Sequence, residues 1–154
     1  ELYINRDKVA FSSVTPESGI CSADRAGEIS GKTVSVINKG GFCVAGATSM
    51  DGKALNSSKK LLLFHLTDIQ NSNIKFMSSA RKILLEWGKL PLLMRHGEVT
   101  FRLKNQNFNT VKVWALSFNG RRTAEIPVTV KNGAIIINCN NANSQSMVYE
   151  VIIN

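Results

Sequence analysis

The chain is poor in the residues that most chemistry needs. It has two histidines, His65 and His96, and three cysteines, Cys21, Cys43 and Cys139, in 154 residues. No CxxC spacing occurs, which argues against a zinc cluster. There is no HxH, HExxH or DxD pattern, and no Gly-x-Ser-x-Gly elbow. Gly40-Gly41 lacks the GxGxxG or P-loop context that phosphate binding requires. Glu86, Glu98, Glu125 and Glu150 are acids that could serve glycoside hydrolysis, but their sequence spacing selects no pair at the required ~5–9 Å. No catalytic residues are therefore assigned.

Long apolar runs are also missing. Stretches such as Leu61-Leu62-Leu63-Phe64 and Ala134-Ile135-Ile136-Ile137 are strand-sized, far below the roughly 18 residues of a membrane span. No membrane partner is expected. Acidic residues are scarce, 11 against 19 basic ones, for a net charge of +8. A basic surface attracts anions. The basic residues are dispersed, with Lys59-Lys60, Arg81-Lys82 and Arg121-Arg122 the densest spots, so they read first as a solvated surface. Without basic clusters interleaved with aromatics, nucleic acid is not an expected partner. An odd cysteine count cannot pair fully, and Cys43 and Cys139 lie in apolar strand contexts.

What the sequence does contain is strand pattern. Short segments rich in apolar and β-branched residues recur near Tyr3–Ile4, Lys8–Ser13, Thr33–Ile37, Phe42–Thr48, Lys60–Leu66, Glu98–Leu103, Thr110–Phe118, Thr123–Val130, Ala134–Cys139 and Met147–Ile153. Their spacing predicts an all-β, antiparallel β-sandwich, jelly-roll or Ig-like, of about nine to eleven strands. Asn119-Gly120 and Asn132-Gly133 predict two type I′ hairpin turns, hence a meander of three strands in a row. Asp51-Gly52 is a third turn candidate. Pro127 interrupts one strand and predicts an edge or a bulge there. Over Ser78–Trp87 a short helix, a strand and a loop compete. The polar run Asn140–Ser146 reads as an exposed hairpin loop. One domain over residues 1–154 is expected. The chain opens on Glu1-Leu2-Tyr3-Ile4, already strand-like, so the expectation is of a domain excised from a larger multidomain protein.

Aromatic residues are the strongest binding candidates, because a sugar ring packs its C–H bonds on an aromatic face. Trp87 stands among charged and turn-forming residues, beside Lys89 and ahead of Arg95. Trp114 alternates with Lys112 and Leu116 on one strand face, opposite Val111, Val113 and Ala115. Leu116 beside it favours a covered, core or inter-domain, Trp114. Arg121 and Arg122 follow the nearby turn. The candidate carbohydrate-binding set is thus Trp87, Lys89, Arg95, Trp114, Arg121 and Arg122. Asp68, Asn71 and Asn73 offer oxygens in one loop, but the loop is too acid-poor to favour calcium. These residues read as turn formers, and no cofactor is expected.

Several segments in order carry a family resemblance. Val14-Thr15-Pro16 comes first, then Phe42-Cys43-Val44-Ala45-Gly46-Ala47-Thr48-Ser49-Met50-Asp51-Gly52-Lys53-Ala54-Leu55, then Ser58-Lys59-Lys60-Leu61-Leu62-Leu63. Asn71-Ser72-Asn73-Ile74-Lys75-Phe76, Trp87-Gly88-Lys89-Leu90-Pro91, Trp114-Ala115-Leu116-Ser117-Phe118-Asn119-Gly120-Arg121-Arg122 and Tyr149-Glu150-Val151 follow. This order resembles the C-terminal β-sandwich domain, carbohydrate-binding-module-like, of large bacterial glycoside hydrolases. Departures include Met50 and Ala54, where the family pattern has Leu and Pro, and Glu17 after Thr15-Pro16, where it has Arg. The resemblance implies a non-catalytic module, secreted or at the cell surface, with catalysis in another domain. It implies polysaccharide as partner, with the positive charge suggesting an anionic one, and the catalytic domain of the same parent chain. A monomer is expected. The alternative is a structural sandwich that packs on a catalytic barrel without binding sugar. A basic, nucleic-acid-binding sandwich is a third, weaker reading.

Overall fold

The computed structural model describes residues 2–5, 10–105 and 108–154, with side chains from residue 15 onward. Strand pattern becomes two antiparallel sheets. The chain runs β1 (Leu2–Asn5), β2 (Ala10–Val14), β3 (Ser18–Ala23), β4 (Gly27–Ser30), β5 (Val34–Asn38), β6 (Cys43–Ser49) and β7 (Lys60–Leu66). It continues through β8 (Ile69–Ser72), β9 (Lys75–Phe76), β10 (Leu84–Glu86), β11 (Lys89–Met94) and β12 (Glu98–Lys104). It ends with β13 (Val111–Leu116), β14 (Arg122–Ile126), β15 (Val128–Lys131), β16 (Ala134–Asn140), α1 (Asn141–Ser144) and β17 (Val148–Ile153). The larger sheet has the order β1-β2-β3-β6-β7-β17-β13-β14 and the smaller β15-β16-β12-β5-β4. Neither closes into a barrel. The all-β, antiparallel, sandwich-like class is as expected.

Alternation fixes which face is inside. Along β7 the core takes Leu61, Leu63 and His65; along β13 it takes Val113 and Ala115; along β16 it takes Ile135, Ile137 and Cys139. Phe101 on β12 and Tyr149 on β17 are fully buried between them. Removing so much apolar area from water is the main stabilising term of such a sandwich. Cys21, Cys43 and Cys139 are free, buried thiols. Burial pushes Cys21 up to about 12 and Cys43 to about 11, so they act as small core hydrophobes.

The structure corrects several expectations. Seventeen strands lie among the described residues, more than the nine to eleven expected. β3 and β4 were not anticipated: Ser18, Gly19, Ser22, Gly27 and Ser30 weaken the local signal, and neighbouring strands impose the conformation instead. The expected start of β2 at Lys8 and Val9 lies outside the described residues. The C-terminal meander is not one sheet. β13 and β14 form a hairpin of the larger sheet, and β15 and β16 form a hairpin of the smaller. Pro127 lies between β14 and β15, each of which is an edge strand. Its missing N–H breaks the expected single strand there, and the chain crosses between sheets.

The two Asn-Gly turns also differ. Asn132 and Gly133 both have positive φ, 52° and 69°, as a type I′ turn requires. At the other turn only Gly120 does, with φ 79°. The Gly120 N–H reaches the Ser117 carbonyl at 2.8 Å, and the β13–β14 ladder shifts register between Ala115 and Leu116. That is the longer hairpin loop with a left-handed glycine. No helix forms over Ser78–Trp87; the segment makes a turn and then β10.

His65 is a cost inside this core. It is completely buried, and both ring nitrogens lack a hydrogen-bond partner. Burial, with the neighbouring Arg95 and His96 adding to it, pushes its pKa down from 6.5 to about 4. The unfolded chain therefore binds this proton at higher pH than the folded one. Stability is full above pH 6.5 and is lost as pH falls from 6.5 toward 4, by on the order of 3 kcal/mol. Urea unfolding of the wild type and of His65→Leu across this window measures it. The difference between the two curves is expected to grow as pH falls, because the variant lacks this titration.

Candidate functional site

Between β7 and β12 the chain leaves both sheets. Residues 67–97 form an arm of two ribbons, β8 with β11 and β9 with β10, neither of which joins a main sheet. Such ribbons lack a core of their own, so something must hold the arm at its neck. Asn141 does this from α1. Its side chain is fully buried. Its Oδ1 accepts the Gly97 N–H at 2.8 Å, and its Nδ2 donates to the Arg95 carbonyl at 3.0 Å and to Thr67 Oγ1 at 3.2 Å. Thr67 Oγ1 in turn donates to the Arg95 carbonyl at 2.7 Å. Gly97 is required by closeness: a Cβ there would stand 2.8 Å from Thr67 Cγ2 and 3.1 Å from the His65 ring.

The segment Asn140–Ser146 is therefore not an exposed loop. Asn140 caps α1, its Oδ1 accepting the N–H groups of Ala142 and Asn143 at 3.0 and 3.3 Å. A cap Asn followed by a buried Asn is what fixes the neck, and the asparagine run was the available sequence signal.

At the far end of the arm stands Trp87, 76% exposed. Its position is set by backbone contacts. Asn71 Nδ2 donates to the Trp87 carbonyl at 2.9 Å, and Ser72 Oγ donates to the Pro91 carbonyl at 2.7 Å. Gly88 has φ +72°, and a Cβ on it would lie 2.3 Å from the Ser72 carbonyl oxygen. Only glycine lets the Trp87–Lys89 bend pack against β8.

Two clefts open on the arm. One, of about 470 Å³, is lined by Asn73, Glu86, Trp87, Gly88 and Lys89. The other, of about 350 Å³, includes Asp68, Gln70, Asn71, Arg81 and Arg95. Asn73 lines both. Trp87, Lys89 and Arg95 of the candidate set are thus brought onto one element. The Arg95 guanidinium also donates to the Phe42 carbonyl, tying the arm to the turn before β6. Asp68 accepts hydrogen bonds from Arg81 and Gln70; the Arg81 bond, foremost, holds its carboxyl below the usual range. Asp68 and Asn71, the calcium candidates with Asn73, are engaged in holding the arm's own structure.

Trp114, Arg121 and Arg122 lie elsewhere. Trp114 is half-buried on the outer face of the larger sheet, opposite the core residues Val113 and Ala115. It is not a core residue, because strand alternation puts the smaller side chains inside. The Arg122 guanidinium stacks 5.5 Å from its ring. Arg122 Nε also reaches Glu150 Oε2 at 2.6 Å, and Lys60 reaches Glu150 Oε1 at 3.2 Å. Arg122 is thus committed to the sheet. Arg121 is exposed in the hairpin turn.

Among the described residues no group of three or more His, Cys, Asp or Glu could hold a metal ion. None of their helices is long and apolar enough to cross a membrane. No family model, curated protein or solved structure matches the chain.

Asn141→Ala would strand the Gly97 N–H in a buried site. The expected loss is about 2–3 kcal/mol of stability in urea unfolding, with faster hydrogen exchange at arm amides than in β12 or β16.

Proposed function

We propose that the chain is a non-catalytic carbohydrate-binding module, used outside the cell or at its surface, whose sugar site is the Trp87 cleft. The observation that carries this reading is an exposed indole, on backbone held by Asn71 and Gly88, beside an amide, a carboxylate and an ammonium. An aromatic face offers stacking to the C–H side of a pyranose. Asn73, Glu86 and Lys89 offer donors and acceptors for its hydroxyls. The volume suits a sugar unit with room for its neighbours. The ordered motifs shared with accessory sandwiches of bacterial glycoside hydrolases support it further.

A second reading is favoured by other side chains of the arm. Met77, Ile83, Leu85, Leu90 and Leu92 are 54 to 76% exposed. Apolar residues in this number fit packing against another domain, such as a catalytic barrel.

Isothermal titration of the isolated chain against a panel of polysaccharides separates the two. The module reading expects binding to at least one glycan, weakened by Trp87→Ala by about thirtyfold or more, the loss typical of a tryptophan anchor. The packing reading expects no glycan binding by the isolated chain.

A further inference from the structure

We infer that the glycan taken by the arm is anionic, bearing sulfate esters or uronic carboxylates, with Lys89 as its principal charge partner; this rests on the sugar-binding reading above. The clefts contain acids and bases, but the acids are already neutralised. Asp68 is paired with Arg81. Glu86 is paired with Lys75 at 2.7 Å across the β9–β10 ribbon. Lys89 has no ion-pair partner among the described residues, although it lines the same cleft as Trp87. Arg95, in the adjoining cleft, donates to a neutral backbone carbonyl and has no ion-pair partner among the described residues; Asp68, close enough to feel its charge, is already held by Arg81. Lys82, on the same arm, is exposed and likewise without an ion pair among the described residues.

Of the charged residues lining the two clefts, Arg81, Lys89 and Arg95 therefore outnumber Asp68 and Glu86. A neutral sugar stacked on Trp87 would strip water from the Lys89 ammonium and return only bonds to uncharged hydroxyls, leaving the positive charge without a counter-charge. An acidic substituent returns the same hydrogen bond with the attraction of opposite charges added. Because Asn73 lines both clefts, a chain extending from Trp87 past Asn73 would meet Arg95 after Lys89.

The test uses matched glycans: sulfated carrageenan against its desulfated form, and polygalacturonate against its methyl-esterified form, titrated into the whole chain at low and high salt. The expected result is that the anionic member of at least one pair binds about tenfold tighter than its neutral counterpart. That preference should shrink at high salt. Lys89→Gln should remove most of it, whereas Lys131→Gln, an equal charge change on the exposed β15–β16 hairpin, should not. The pair that shows the preference tells sulfate from carboxylate. Equal binding within both pairs, or equal effects of the two lysine variants, would overturn the anionic inference and leave the module reading standing. Failure of both pairs to bind, with another glycan of the wider panel bound, would also overturn the anionic inference alone; failure of the whole panel would overturn the module reading itself.

Discussion

A single buried amide decides whether the arm is a structural element or a loose excursion. Asn141 offers an acceptor and two donors at the one place where residues 67–97 leave and rejoin the sheets, and all three are used. The neck strands on either side belong to different sheets, β7 to the larger and β12 to the smaller. Asn141 therefore closes the arm and also ties the two layers at that end of the sandwich. A buried polar network of this kind is stabilising only when every member is satisfied. His65, packed against Gly97 with neither nitrogen bonded, shows how little polar capacity the surrounding core has to spare.

The same logic extends outward. With the neck fixed, Gly88 can press against Ser72 and Ile74, and Asn71 can hold the Trp87 carbonyl. On the proposed function, this fixed backbone under the indole lowers the cost of ordering the site when a sugar binds, which is the advantage of preorganisation. The outer face of the larger sheet is built differently. There Arg122, Glu150 and Lys60 satisfy one another, and Arg122 covers part of Trp114. One tryptophan is left open and the other is partly covered by Arg122.

How much of this could be read beforehand depends on the range of the forces involved. β7 was legible to the residue because Lys60–Leu66 is a strand-sized, nearly continuous apolar run. The turn at Asn132-Gly133 was legible because two positive φ values demand those residues. β3 was not, since Ser18–Ala23 becomes a strand through its partners β2 and β6 rather than through its own composition. Pro127 signalled an interruption, but whether the chain bulges or changes sheets is settled by packing at a distance. That Trp87 and Lys89 would stand close together was legible from local context, since one residue separates them, and they line one cleft. The neck was not, because Asn141 meets Thr67 and Arg95 only after the fold has brought them together.

On the proposed function the arm, and not the outer sheet face, is the binding element. Amide chemical-shift mapping during titration of the isotopically labelled chain with soluble oligosaccharides tests it most directly. The account predicts perturbations concentrated at residues 70–75 and 86–95 and at the Trp87 indole N–H. Perturbations centred instead on Trp114, Arg121 and Arg122 would contradict it.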